Sequence, residues 1–593
     1  DDAAAAYGRC LAIKPEHRDA RVGRGVALLQ SMKFDAAMPD LEWWVAKEPD
    51  NADAWRAYGE ALELVGRFDE TAAAREREVA LDPATPGRRR DAGLAFARMG
   101  LNDRARELLQ DAASDPDDLV ARWVAWQSLP LVYGDEATIE HWRAQWIEGL
   151  AALEQVDPSR HPRESLETAV FAATPFVLHY HGGDPAPLQR RYGALVTRWT
   201  RGLAADATPR AQARAQGKLR IGFATAYFHG HTVRGLFHQW LARLDRSRFT
   251  VVAIYLSGLK DSFSESLGEI ADEVVRDVRE PGDWVRAICA ADLDAIVWLD
   301  LGMHGLSQLL SAVRMAPVTA MAWGHPITSG LDSVDHFLTA DAMEPAGAAA
   351  HYTEKLVRLP KLGIRFPYPL ASRESRRAAR DSAAPPRLVC VQSVFKLHPL
   401  NLDLFARIAA RLPRAELHFV PHPAPVVRAQ FESLLRERFA AHGASFDARV
   451  QIHPGLRHEA FLALLAHADV FLDTIGWSGG HTTLEALATD LPVVTCPGAF
   501  MRQRHTLGML ELMDLDAELA VDDEDAYVDR VALLALDVDY HAHVVARIRE
   551  RKWVLYDDDE PVRALERFLL QACGRVLPSP SGRGAGGEDS GET

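Results

Sequence analysis

The stretch DVFLDTIGWSGGHTTLEALATDLPVVTCPG, residues 469–498, decides the fold of this chain. An apolar run, a Gly-rich turn, a helix-forming segment and a second apolar run follow in order, as in a parallel strand–helix–strand unit. The helix starts at Gly479-Gly480-His481-Thr482-Thr483. Free main-chain N–H groups and the positive dipole end make such a start an anion site, and the Thr hydroxyls add donors. Glu485 falls in the first turn, where a carboxylate can accept ribose hydroxyls as it does in dinucleotide folds. Ordinary N-capping with a dipole-satisfying Glu is the plainer alternative.

The same alternation extends to both sides. LVCVQS (388–393), ELHFVPHP, VQIHPG, DVFLDT and PVVTCPG are five strands interleaved with helices such as LDLFARIAARL, which predicts a parallel α/β lobe. Lys396, in VFKLHP, follows the first of these strands, in the region outside strand C-termini where ligands of α/β folds bind. Upstream, ASRESRRAARDSAAPPR (371–387) is charged, Ala-rich and closed by Pro-Pro, as an interdomain linker would be. Before it LRIGFATAYF, FTVVAIYLSG and DAIVWLDLG open another alternating series from Lys218. The strand ends of this first lobe carry His229, His231, His304 and His325. Such histidines can supply a general base or acceptor contacts, or can be plain structural residues.

The N-terminal quarter repeats itself. Pro15, Pro49 and Pro83 are 34 apart, as are Gly25, Gly59 and Gly93, and Asp35, Asp69 and Asp103; Phe34 and Phe68 share the period, and Pro116 follows Pro83 after 33. Thirty-four is the tetratricopeptide period, with Gly allowing paired helices to approach and Trp55 or Phe68 filling the groove. The register fails after Pro116. The expected division is therefore 1–117 repeats, 118–215 capping and linking helices, 216–375 a first α/β lobe, 386–545 a second, 546–576 a C-terminal helix and 577–593 a disordered tail.

Composition narrows the function. With 67 Lys and Arg against 83 Asp and Glu, the formal charge of −16 opposes binding to nucleic acid or anionic lipid. Five scattered cysteines without a Cys-x-x-Cys pair suit a reducing compartment. No run of about 18 apolar residues suggests a membrane span, so a cytoplasmic protein is expected. The start, DDAAAA, reads as lying inside a longer parent. Walker, G-x-G-x-x-G, H-E-x-x-H and G-x-S-x-G motifs are absent. Asp292 to Asp294 and Asp537 to Asp539 are formally D-x-D, but the first precedes a buried-strand pattern and the second falls near the last helix, so no metal is assigned.

With these features in hand, the chain resembles bacterial members of the O-GlcNAc transferase and SPINDLY family. The matching segments, in order, are LRIGFATAYFHGHTVRGLF, LDLGMH, APVTAMAWGHPITSGLDSVDHFLTAD, HYTEKLVRLP, VFKLHP, ADVFLDTIGWSGGHTTLEAL and LPVVTCPGAFMRQR. The resemblance implies a GT-B fold, two Rossmann-like lobes preceded by an all-α tetratricopeptide superhelix. It implies an inverting glycosyltransferase acting on Ser or Thr hydroxyls of proteins, with UDP-GlcNAc as the leading donor. It implies no permanent cofactor and no metal, and an acceptor protein lying along the repeat groove.

Carried over by position, Lys396 is the catalytic lysine on the donor diphosphate and His231 the catalytic cleft histidine. By the same resemblance Gly480, His481, Thr482 and Thr483 look like the phosphate-cradling turn, Glu485 like the ribose-binding acid, and Phe461 falls where the family stacks an aromatic ring or imidazole on the base. Asp300, His304, His325 and Thr328 lie on the acceptor side. ALATDLP replaces the usual ALWxGxP, and IGWSGG the usual P-Y-N-G. The donor stays open between UDP-GlcNAc, GDP-fucose and other nucleotide sugars, with a catalytically silent repeat scaffold as the remaining alternative.

Overall fold

A computed structural model describes residues 2–575 apart from 32, 66, 370–382 and 448. Most of the expected linker and the whole expected tail lie outside the described residues. Seven helices form the N-terminal array: α1 (Asp2–Ile13), α2 (Arg18–Gln30), α3 (Phe34–Lys47), α4 (Ala52–Leu64), α5 (Phe68–Leu81), α6 (Pro86–Arg98) and α7 (Asn102–Ser114), each packed on the next. The periodic glycines sit where paired helices close. A methyl group at Gly25 would come within 3.1 Å of Leu41, and one at Gly93 within 2.7 Å of Leu109. Phe68 departs from expectation: it is 46% exposed rather than filling the groove, because it opens its helix at the array's edge, facing the loop His422–Val426.

The helices α8 (Leu119–Gln127), α9 (Glu136–Glu154), α10 (Arg163–Ala172) and α11 (Ala186–Trp199) do more than link. Trp123, Trp126 and Trp146 gather around Tyr192 and Trp199 packs on Trp123, with the Trp126 and Trp146 rings 4.6 Å apart. This cluster is continuous with the core of both lobes, whereas most of the array keeps separate small cores. Contact with the first lobe is main chain on main chain. A methyl group at Gly193 would stand 2.0 Å from the Gly330 carbonyl, and one at Gly305 1.7 Å from the Phe171 carbonyl.

The first lobe is a seven-stranded parallel sheet ordered β3-β2-β1-β4-β5-β6-β7. Its strands are β1 (Leu219–Thr225), β2 (Phe249–Tyr255), β3 (Glu273–Val275), β4 (Ala295–Trp298), β5 (Val318–Ala322), β6 (His336–Ala340) and β7 (Lys355–Leu359). Runs such as TVVAI and AIVW are apolar on both faces because helices cover both faces of a parallel sheet. Helix α12 (Thr232–Arg243) follows β1. The second sheet is ordered β10-β9-β8-β11-β12. It is built from β8 (Arg387–Cys390), β9 (Glu416–Phe419), β10 (Val450–Ile452), β11 (Val470–Leu472) and β12 (Val493–Val494), the five strands expected.

The C-terminal region differs from a single helix over 546–576. A helix runs Val538–Arg551, the chain turns through Asp557 at φ +57°, and a second helix runs Glu560–Ala572. A left-handed residue cannot continue a helix. The last helix returns to the first lobe, where Glu566 accepts the Asp245 N–H at 2.8 Å and Arg575 donates to the carbonyls of Arg214 and Gly217. The two D-x-D sequences are structural. Asp537 caps the Val538 helix, Asp292 pairs with Arg210 and Arg214, and Asp294 accepts the main-chain N–H groups of Arg214 and Arg220.

Candidate active site

Each sheet has one place where successive crossovers run in opposite directions, between β1 and β4 in the first and between β8 and β11 in the second. Ligands of open α/β sheets bind outside the strand C-termini at such points. The two crevices face each other and enclose a cavity of about 210 Å³ lined from both lobes.

The second-lobe wall is built for an anion. Lys396, in the short turn Val394–Lys396, donates to Gln392 Oε1 at 3.0 Å, and Gln392 Nε2 donates to Thr482 Oγ1 at 3.1 Å. Enclosure between the lobes lowers the Lys396 ammonium from 10.5 to about 8. Beside it the helix His481–Ala488 begins at Gly480 with no side chain capping its N–H groups. The turn leading there is fixed by buried Asp473, which accepts from Ser478 Oγ at 2.7 Å, the Gly479 N–H at 2.8 Å and Thr495 Oγ1 at 2.8 Å.

Three expected donor-site residues stand elsewhere. Thr483 is buried with its hydroxyl on Thr506 at 3.0 Å, so only Thr482 of the pair reaches the cavity. Glu485 is enclosed between two imidazoles, His458 Nε2 at 2.5 Å and His481 Nδ1 at 3.2 Å, and the histidines hold its carboxyl down at about 2. Phe461 is half-buried on the helix His458–His467, packed against the core and outside the cavity lining. His481 joins the lobes: its ring packs under α12, where a methyl group at Gly235 would stand 2.5 Å from Nε2.

The first-lobe wall consists of rings. His231 caps α12 by accepting the Val233 N–H at 3.2 Å through Nδ1, and it stacks on Tyr227 with centroids 4.1 Å apart. Burial lowers it to about 4, so the ring is neutral and carries its proton on Nε2. His231 thus enters the cleft as a donor. His325 lines the cavity too and stacks on Trp477 at 5.5 Å.

The other acceptor-side expectations move away from the cavity. Asp300 is buried, pushed up to about 7, and clamps the loop after β1 by accepting the Ala226 N–H and the Ser307 hydroxyl, each at 3.1 Å. His304 precedes the helix Gly305–Ser311, half-buried edge-on to Tyr227, and Met303 takes its place on the lining. The Thr328 hydroxyl bonds Glu354 at 2.6 Å and Thr353 at 2.8 Å.

Several lining residues carried no sequence signal. Phe176 and Tyr180 come from the segment before α11, where no strand end marks a ligand site, and Tyr180 lies 4.1 Å from the Trp477 ring. Gln392 and His505 also line the cavity. The closely spaced His179 and His181 of LHYHGGD were the one available hint. Among the described residues no cluster of His, Cys, Asp or Glu is placed to hold a metal ion, and no helix is long and apolar enough to cross a membrane.

Two facing Rossmann-like lobes with a cation and an open helix start across the cleft define the GT-B architecture. Residues 202–364 match the model of glycosyl transferase family 41. The chain is 26% identical over 347 residues to a protein described as a probable UDP-N-acetylglucosamine–peptide N-acetylglucosaminyltransferase SPINDLY from Solanum lycopersicum, covering 56% of this chain and 36% of that one. It is 24% identical over 297 residues to a UDP-glucose:protein N-beta-glucosyltransferase from Actinobacillus pleuropneumoniae serotype 7, covering 47% and 45%. The chain thus spans less than half the length of these curated relatives. A solved mutant of the Thermobaculum terrenum O-GlcNAc transferase superposes with a TM-score of 0.70 at 23% identity, over 94% of this chain and 99% of that one, which shows the shared fold.

Proposed function

We propose that this chain is an inverting protein glycosyltransferase that moves a sugar, GlcNAc from UDP-GlcNAc, onto Ser or Thr hydroxyls of a protein lying along the repeat groove. The observation that carries this reading is the row Lys396, Gln392 and Thr482 beside an uncapped helix start at the second-lobe switch point. A diphosphate there meets an ammonium and main-chain N–H donors, and the negative charge that develops on the leaving nucleotide is stabilised by the same groups. The acceptor oxygen attacks the anomeric carbon from the first-lobe side, where ring walls exclude water and align it. The bond from that carbon to the diphosphate oxygen breaks, the nucleoside diphosphate leaves, and the hydroxyl proton passes to the departing diphosphate. His231, capped through Nδ1, orients oxygens and does not remove the acceptor proton. Placement of Glu485 on the ribose fits if a nucleoside displaces exposed His458 from it. Five free thiols suit a cytoplasmic setting.

The test is a thermal-shift panel of UDP, GDP, UDP-GlcNAc, UDP-glucose and GDP-fucose on wild type and Lys396→Ala. A ligand that binds only the folded state raises its melting temperature by mass action. Uridine nucleotides are expected to stabilise wild type, the shift is expected to vanish in Lys396→Ala, and turnover should fall about 100-fold. Guanosine selectivity would replace the UDP assignment by a fucosyl donor, and silence toward every nucleotide would overturn the enzyme reading in favour of a scaffold.

A further inference from the structure

Behind His325 runs a chain of hydrogen bonds whose direction is set at its far end. Gln189 Nε2, on α11, lies 3.1 Å from the Thr328 carbonyl and 2.9 Å from His179 Nε2. A carbonyl only accepts, so this end of the amide is its NH2 group. His179 must then accept at Nε2 and carry its proton on Nδ1. That proton is donated to His325 Nε2 at 2.6 Å. A neutral His325 whose Nε2 accepts keeps its own proton on Nδ1.

The surroundings hold this arrangement. Both rings are buried, and burial keeps both uncharged, His179 at about 3 and His325 well below its usual value. Gly302, at φ +90°, lets them sit together: a methyl group there would stand 2.9 Å from His325 Cδ2 and 3.4 Å from His179 Cε1. Stacking on Trp477 at an interplanar angle of 27° sets the plane of the His325 ring.

We propose that His179 and Gln189, which precede the first lobe, are positioning residues that lock His325 as an Nδ1–H donor toward the interlobe cavity, where it recognises an acceptor oxygen of the bound nucleotide sugar. The identity of that ligand rests on the proposed function; the locked tautomer is a property of the free protein. His325 is therefore a recognition group and not a base. The helices over 118–215 become part of the site instead of a spacer.

The experiment labels the histidine rings with 15N and records long-range proton–nitrogen correlations, with the His325 signals identified by their loss in His325→Gln. Wild type should show a protonated Nδ1 and a bare Nε2. His179→Phe removes the donor and should convert His325 to a mixture of tautomers. His179→Asn places an amide N–H where Nδ1–H stood and should restore the wild-type pattern. Release of UDP from UDP-GlcNAc, read as kcat/KM, should fall about tenfold in His179→Phe and stay within about twofold in His179→Asn, the scale of one lost hydrogen bond in a closed site. A wild-type His325 protonated on Nε2, or a tautomer indifferent to His179→Phe, overturns the proposal. If His179→Phe does not fold, the wild-type and His179→Asn spectra decide. The expected tautomer in a protein that ignores every nucleotide would sink the enzyme reading and leave the relay standing.

Discussion

On the first-lobe side of the cleft the titratable groups within reach are imidazoles that burial keeps uncharged, set beside Tyr180 and Tyr227, with the second-lobe Trp477 stacked against them. On the second-lobe side stand an ammonium, an amide and the bare start of a helix. Charge in a low-dielectric cleft acts strongly on an anion, while neutral rings offer surface and directed N–H groups without competing for it. Under the proposed function this difference gives the cleft a polarity, with the diphosphate end of the donor on the second lobe and the sugar end on the ring wall. The ring wall, moreover, is assembled from two parts of the chain, whereas the cationic wall comes from one.

That dependence is the first thing to break. Gly193→Ala puts a methyl group into the Gly330 carbonyl and should cost about 3 kcal/mol of stability by overpacking, measured by urea unfolding. UDP binding, held by the other wall, should persist in the fraction that stays folded. An unchanged unfolding midpoint would mean that α11 is not seated on the first lobe as described.

The pair of Glu485 with His458 is next. The Glu485 carboxyl is held at about 2 against its usual 4.5, so its contribution is full above pH 4.5 and is lost as pH falls toward 2. His458 is raised above 6.5 by the same contact, so its share is full below 6.5 and fades as pH rises through the raised value. Glu485→Gln should cost on the order of 2 kcal/mol near pH 5.5 and almost nothing near pH 2. A pH-independent difference between the two proteins would count against the pairing.

The cationic wall has its own pH signature. Because Lys396 titrates at about 8, its charge is present below that pH and lost above it. UDP affinity should fall by up to about tenfold between about pH 7.5 and 9. Lys396→Arg, charged throughout, should give a flat profile, and a flat wild-type profile would remove Lys396 from the anion site. The smallest effect separates neighbours: Thr483→Val should lose about 1 kcal/mol of stability with nucleotide affinity intact, whereas Thr482→Val should weaken UDP about threefold with stability intact.

These neighbours show where reading from sequence ends. The alternation of apolar runs placed both sheets, because a strand buried on two faces must be apolar throughout, and the 34-residue period placed the array, because only glycine lets its helices close. Position along motifs brought Lys396, Gly480 and Thr482 to the cleft. It could not separate Thr482 from Thr483, since adjacent helical residues point about 100° apart and only packing decides which meets solvent. Nor could it tell that Asp300 serves as a loop clamp, or that Tyr180, from a segment expected only to link, would stand in the wall with His179 behind it.

Local pattern and spacing thus determined the elements, their order and the cationic half of the site, all of which depend on residues close together in the chain. The tertiary structure alone decided which face of each loop reaches the cavity, which histidines are neutral and on which nitrogen their protons sit. Those depend on partners far away in sequence, such as Gln189 for His179 and His179 for His325, which are 10 and 146 residues apart.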